Sequence, residues 1–119
     1  MLILIILCGL GAFLGGILRN FLARLNGNFA LGTLSANLLG TFILGWATTT
    51  ILLHDSGQQL TAFLSLGFCG GLTTFSAFAF EVVTYWQKAA YKTAVWYVLI
   101  SFLGGLLCAY LGMLGGKFL

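Results

Sequence analysis

Few side chains in this sequence can do chemistry, and they fall into a small number of sets. Thr33, Asn37 and Thr41 recur every fourth residue within "LGTLSANLLGTFILG". On a helix that spacing makes one polar stripe. Such a stripe either bonds a neighbouring helix or lines a path with donors. Asn37 is the sharper member, because its amide offers two N–H donors, which suit an anion. Tyr97 and Ser101 repeat the spacing and are followed by Gly105. They read either as a hydroxyl track for a small ion or as an interfacial ring plus a hydroxyl bonded back to its own helix. Glu81 is the one acid inside an apolar segment. A lone carboxyl there is either a proton or cation site or a hydrogen-bonded group near a helix end.

The densest set is "GFCGGLTTFSAF", residues 67–78. Gly67, Gly70 and Gly71 weaken helical geometry, so a break is expected there. Thr73, Thr74 and Ser76 add hydroxyls. A break in lipid leaves carbonyls that must find partners. A hard cation such as Na⁺ would satisfy them, and the same segment from a second copy would double the ligands. Phe75 and Phe78 follow on one helical face. A ring is positive at its edge, so a small dehydrated anion can rest there. Plain packing is the competing reading in a chain with 11 phenylalanines.

The elements that must position these groups follow from composition. The chain of 119 residues is 61% hydrophobic and 6% charged. A soluble domain averages about 25% charged residues. Two acids and five bases cannot make a water-facing surface at this length, so the chain reads as an integral membrane protein. Arg19, Arg24, Lys88, Lys92 and Lys117 are scattered, which excludes a nucleic-acid face. Cys8, Cys69 and Cys108 lie in apolar segments without a CxxC pair and read as small buried residues rather than metal or disulfide groups. The opening "MLILIILCGLGAFLGGILRN" lacks a positive leading region and reads as a retained first span, not a signal peptide.

A bilayer core of about 30 Å takes roughly 20 helical residues. Four segments qualify: 2–18, 31–53, 60–86 and 93–115. They form a single four-span membrane domain with short connectors at 19–30, 54–59 and 87–92, the second holding His54 and Asp55. Proline is absent, so a break must come from glycine or polar side chains. The first and third connectors carry four of the five bases, which favours placing them in the cytoplasm and both termini outside. Arg19 is also a candidate for snorkelling or pairing within the fold. Small residues four apart (Gly11 and Gly15, Ala36 and Gly40, Ser101 with Gly105 and Ala109, Gly112 and Gly116) mark close helix contacts. Four spans barely enclose a pathway, so an oligomer is expected.

These residues resemble the CrcB/Fluc fluoride channels. "GFCGGLTTFSAF" is similar to the family signature written around G-x-x-T-T-F-S-T-F. "GAFLGGILRN" resembles its first-span GA-x-x-G-x-x-x-R element, and "LGTLSANLLGTFILG" its second-span G-T-x-x-x-N-x-x-G-[ST]-F element. The resemblance implies an all-α membrane protein of four spans with a broken third helix, forming an antiparallel dual-topology dimer. It implies a structural Na⁺ at the dimer centre, held by the main-chain carbonyls of Gly70 and Thr73. It implies fluoride pathways along Asn37, Phe75, Phe78 and Ser76, with Tyr97 and Ser101 as a fourth-span track. Arg19 and Glu81 match the family's first-span arginine and third-span acid, and Thr33 and Thr41 flank Asn37 on its stripe. Ala77, Asn20 and Gly105 depart from the family pattern. The implied partner is a second copy or a paired homologue, the implied location the cell membrane, and no organic cofactor is called for.

Two other classes compete. A small proton-coupled drug exporter needs an acid in its first span, and residues 1–18 contain none. A membrane scaffold would explain the glycine stripes but not residues 70–73 and the Phe75 and Phe78 face together.

Overall fold

The computed structural model describes residues 1–54 and 57–118. Asp55 and Ser56, in the second connector, lie outside the described residues, and His54 ends a helix rather than sitting in a loop. Every regular element among the described residues is helical. The first helix is Leu2–Leu22, continued by one 3₁₀ turn, Ala23–Leu25. The second is Leu31–His54 and the fourth Tyr91–Phe118. The third span, Gly57–Gln87, is built in two halves, 57–72 and Phe75–Gln87. All four are long and apolar enough to cross a bilayer, and the chain is a multi-pass membrane protein.

The expected boundaries shift at the basic ends. The first helix does not stop at residue 18 but carries Arg19 and Asn20 within it. Arginine is a good helix former, and its long stem lets the charge reach water from inside a helix. Arg24 lies 5.1 Å over the Phe21 ring. The third connector shrinks to a tight turn in which Ala90 N–H donates to the Tyr85 carbonyl at 2.8 Å. Ala89 sits at φ 60°, a left-handed position that glycine usually fills.

Helices pack by backbone approach, as small residues in lipid predict. A Cβ on Gly11 would meet the Phe63 carbonyl, and one on Gly15 the Phe68 carbonyl. From the other side, Gly67 and Gly71 lie against the Cys8 and Ala12 carbonyls. The second and fourth helices meet in the same way: Gly112 faces the Phe42 carbonyl and Gly116 the Trp46 carbonyl. Ala36 is fully buried, and a Cβ on Gly40 would meet the Thr73 methyl. Gly105 has open space beside it and is not a contact residue. Cys69 is buried, Cys8 and Cys108 are half-buried, and all three are free thiols.

The third span does break, but not at its glycines. Gly70 has φ −63° and ψ −37°, ordinary helical values. The chain turns extended at Thr73 (φ −80°, ψ 151°) and Thr74 (φ −149°, ψ 120°). Gly67 and Gly71 serve close packing on the first helix, which needs the same missing side chain as a break would. β-branched threonines favour extended geometry and take the break instead.

Candidate functional site

The break is held by one side chain. Asn37 Oδ1 accepts from Thr74 N–H at 2.7 Å, and Asn37 Nδ2 donates to the Thr74 carbonyl at 3.1 Å. Both faces of one peptide residue are thus bound by one carboxamide. Thr74 Oγ1 in turn accepts from Ala77 N–H at 3.2 Å and caps the second half-helix. Thr73 keeps the first half closed: its N–H and its Oγ1 both donate to the Cys69 carbonyl at 2.9 Å.

These bonds redirect donors. In an unbroken helix Thr74 N–H would serve Gly70, and Ala77 N–H would serve Thr73. Here both are given elsewhere. The carbonyls of Gly70 and Thr73 therefore lose their helical donors. They are neutral oxygen ligands, the kind a hard cation takes. The described residues hold no group of three or more His, Cys, Asp or Glu side chains able to bind a metal.

A cleft of about 410 Å³ opens beside the break. Asn37, Thr41, Thr73, Phe75, Phe78 and Ser101 line it. Polar groups from three spans thus converge on two rings whose centroids are 6.0 Å apart. Asn37 spends one N–H and its oxygen on Thr74, so one N–H is left for a ligand. The expectation of two donors is corrected to one. Thr41 Oγ1 donates back to the Asn37 carbonyl at 2.6 Å. Ser101 Oγ is buried with no hydrogen-bond partner among the described residues.

Tyr97 is fully buried and lies behind Phe78, ring centroids 5.1 Å apart, rather than in the cleft wall. Its hydroxyl also lacks a partner among the described residues. The fourth-span pair is therefore split, Ser101 in the cleft and Tyr97 beneath it. Ser76 is exposed, shares a 3.2 Å hydrogen bond with Thr74 Oγ1 and does not line the cleft.

A second, smaller cleft of about 200 Å³ reaches the break from the basic end. Arg19, Asn26, Thr33, Thr74 and Glu81 line it. Thr33 Oγ1 donates to Glu81 Oε1 at 2.6 Å, while Glu81 Oε2 is buried without a partner among the described residues. Thr74 borders both clefts, so the break separates them. Two residues around this end, Asn26 and Tyr85, were not singled out from sequence. Asn26 Oδ1 caps the second helix, accepting from Gly32 N–H at 2.7 Å and Thr33 N–H at 3.2 Å. Tyr85 Oη accepts from Ala30 N–H at 2.8 Å. Thr74 carried a signal, a threonine ahead of an apolar helical run, but Asn26 acts across a loop and had none.

Comparison with known proteins agrees with this architecture. The profile of the family described as "CrcB-like protein, Camphor Resistance (CrcB)" matches residues 6–113. A protein of Acinetobacter baylyi named "Fluoride-specific ion channel FluC" is 40% identical over 113 residues, 92% of this chain and 90% of that one. One of the same name from Paracoccus denitrificans is 42% identical over 112 residues, 91% and 90% of the two chains. "Fluoride-specific ion channel FluC 2" of Staphylococcus saprophyticus is 37% identical over 112 residues, 91% and 93%. These relatives are named as ion channels, not as enzymes. The profile match over residues 6–113 and relatives about 40% identical over nearly the whole length make this chain a member of the CrcB family.

Proposed function

We propose that this chain is a passive, fluoride-selective channel of the cell membrane. The observation that carries the reading is the cleft beside the break. Its walls join a free Asn37 N–H, the unpartnered Ser101 hydroxyl and two phenylalanine rings within one apolar groove. A small, strongly hydrated anion needs donors to replace its water, and ring edges extend that positive lining without supplying a counter-charge. The names of the relatives support fluoride as the ion.

The working unit is a dimer of antiparallel subunits, formed with a second copy or a paired homologue. The cleft is open on one side, and Phe75 beside it is 80% exposed. The Asn37 N–H and Ser101 hydroxyl in that cleft find no hydrogen-bond partner in lipid, so covering by a second subunit is favoured. A Na⁺ held by the Gly70 and Thr73 carbonyls of both subunits would satisfy oxygens that the break deprives of donors. When bound it would supply fixed positive charge close to the rings. Arg19 and Glu81 both line the smaller cleft, so their charges offset each other there, and the Thr33 hydroxyl holds the Glu81 carboxyl in place. Because HF enters acidified cells and dissociates, such a channel lets F⁻ leave down its own gradient.

Purified chain in liposomes, followed with fluoride and chloride electrodes, tests the proposal. Rapid fluoride efflux with chloride retained is expected. Equal efflux of both ions would refute selectivity, and no fluoride efflux, alone or with a paired homologue, would refute the channel.

A further inference from the structure

The two glycine-lined contacts of this fold do not keep the same count. The second and fourth helices match residue for residue. Carbonyls four apart, Phe42 and Trp46, face glycines four apart, Gly112 and Gly116. The first and third spans do not match. Gly11 and Gly15 are four apart, yet the carbonyls they face, Phe63 and Phe68, are five apart. The reason lies in the winding. Thr61–Cys69 is a π-helix, nine residues long, between α-helical ends. Gly11 sits over Phe63 O and Phe68 N, the pair that an i to i+5 bond joins. One turn on, Gly15 sits over Phe68 O and Leu72 N, an ordinary i to i+4 pair.

We infer that the third span carries one residue more than α winding needs between Phe63 and Phe68, and that this surplus sets the angle at which the break arrives. Each residue of an α-helix turns the chain by about 100°. Wound as α throughout, Leu66 included, the span would bring Thr73 and Thr74 round by about that angle and away from Asn37. The wide turn absorbs the extra residue on the exposed side, where Leu66 is 65% exposed, while Ala62, Gly67 and Cys69 stay buried. The π stretch is thus a positioning device for the break. A nine-residue π run is otherwise hard to account for, because such windings are rare and usually last a single turn.

The inference stands on winding and register and does not depend on which ion the protein carries. It predicts an unusual tolerance. Deleting Leu66 converts the Phe63–Phe68 bond to an α bond and leaves every residue from Gly67 onward in place. Deleting Leu44, which is 41% exposed in the α-wound second helix between Phe42 and Trp46, has no such slack. It must swing Trp46 off Gly116. Both variants are expressed in full-length protein, purified in detergent and compared with the parent by size-exclusion profile and thermal melting. The Leu66 deletion is expected to keep the parent profile and to melt within about 5 °C of it. The Leu44 deletion is expected to lose the monodisperse peak. Where the parent conducts, the Leu66 deletion conducts too; where the parent does not, the folding comparison still decides. Loss of the folded peak on deleting Leu66, or equal tolerance of both deletions, would overturn the inference.

Discussion

The two halves of the third span are held in opposite ways. The first half, 57–72, lies backbone against backbone on the first helix and buries Ala62, Gly67, Cys69 and Leu72. The second half, Phe75–Gln87, buries none of its residues, and Phe75 and Phe80 are 80% and 72% exposed. It is attached by polar contacts, Asn37 on Thr74, Thr33 on Glu81 and Tyr85 on Ala30, and by Phe78, Val82 and Tyr85 packing side chain to side chain around the buried Tyr97. Close packing fixes the first half within one chain. The second half is positioned by these contacts, and its outer face is left uncovered within the chain. One continuous hydrophobic segment of sequence thus divides at Thr73–Thr74 into a scaffold and a working edge.

The contrast can be broken most severely in the scaffold. Gly15→Ala puts a methyl group onto the Phe68 carbonyl, a backbone atom that cannot step aside. A loss of about 3 kcal/mol or more is expected, read as loss of folded protein in detergent. Gly16→Ala, one residue along with open space beside it, should instead gain roughly 0.5–1 kcal/mol from helix propensity. Equal effects at the two positions would show that the first half is not held by close approach.

Asn37→Ala attacks the hinge between the halves. It strips both hydrogen bonds from Thr74 and leaves a peptide unpaired, a cost of roughly 1–3 kcal/mol. The protein should still fold, with a lower melting temperature, because the first half is untouched. Fluoride flux should fall by about tenfold or more, the change that some 1.4 kcal/mol produces. A change confined to stability is expected in the turn just after the second half. Ala89→Gly relieves a left-handed alanine and should raise stability by about 1 kcal/mol without changing flux. A changed flux there would mean that the second half transmits strain along its length.

Much of this was legible in the residues. Four spans follow from the length of the apolar runs, and the break from glycines and hydroxyls gathered in one of them. Asn37, Thr41, Phe75, Phe78 and Ser101 do meet in one cleft. What the pattern could not assign is which of two jobs a small residue does. Gly67 and Gly71 read as helix breakers because the contact they serve belongs to the first helix, some 60 residues away along the chain. The threonines beside them carry the break, and their bonds go to Asn37. Arg19 read as a loop residue because a charge ends an apolar run, although its stem lets the helix continue. Asn26 was invisible because it caps a helix that begins several residues later. For the glycines and the threonines, a contact distant along the chain decided between locally equal readings.

The claim at the centre of this account is that the edge beside the break is the path of the ion. Fluoride efflux from liposomes carrying Phe75→Ala or Phe78→Ala, each at parent oligomeric state and yield, tests it most directly. The account predicts a fall of about tenfold or more in each. Parent-level efflux in both variants would place the ion elsewhere and contradict it.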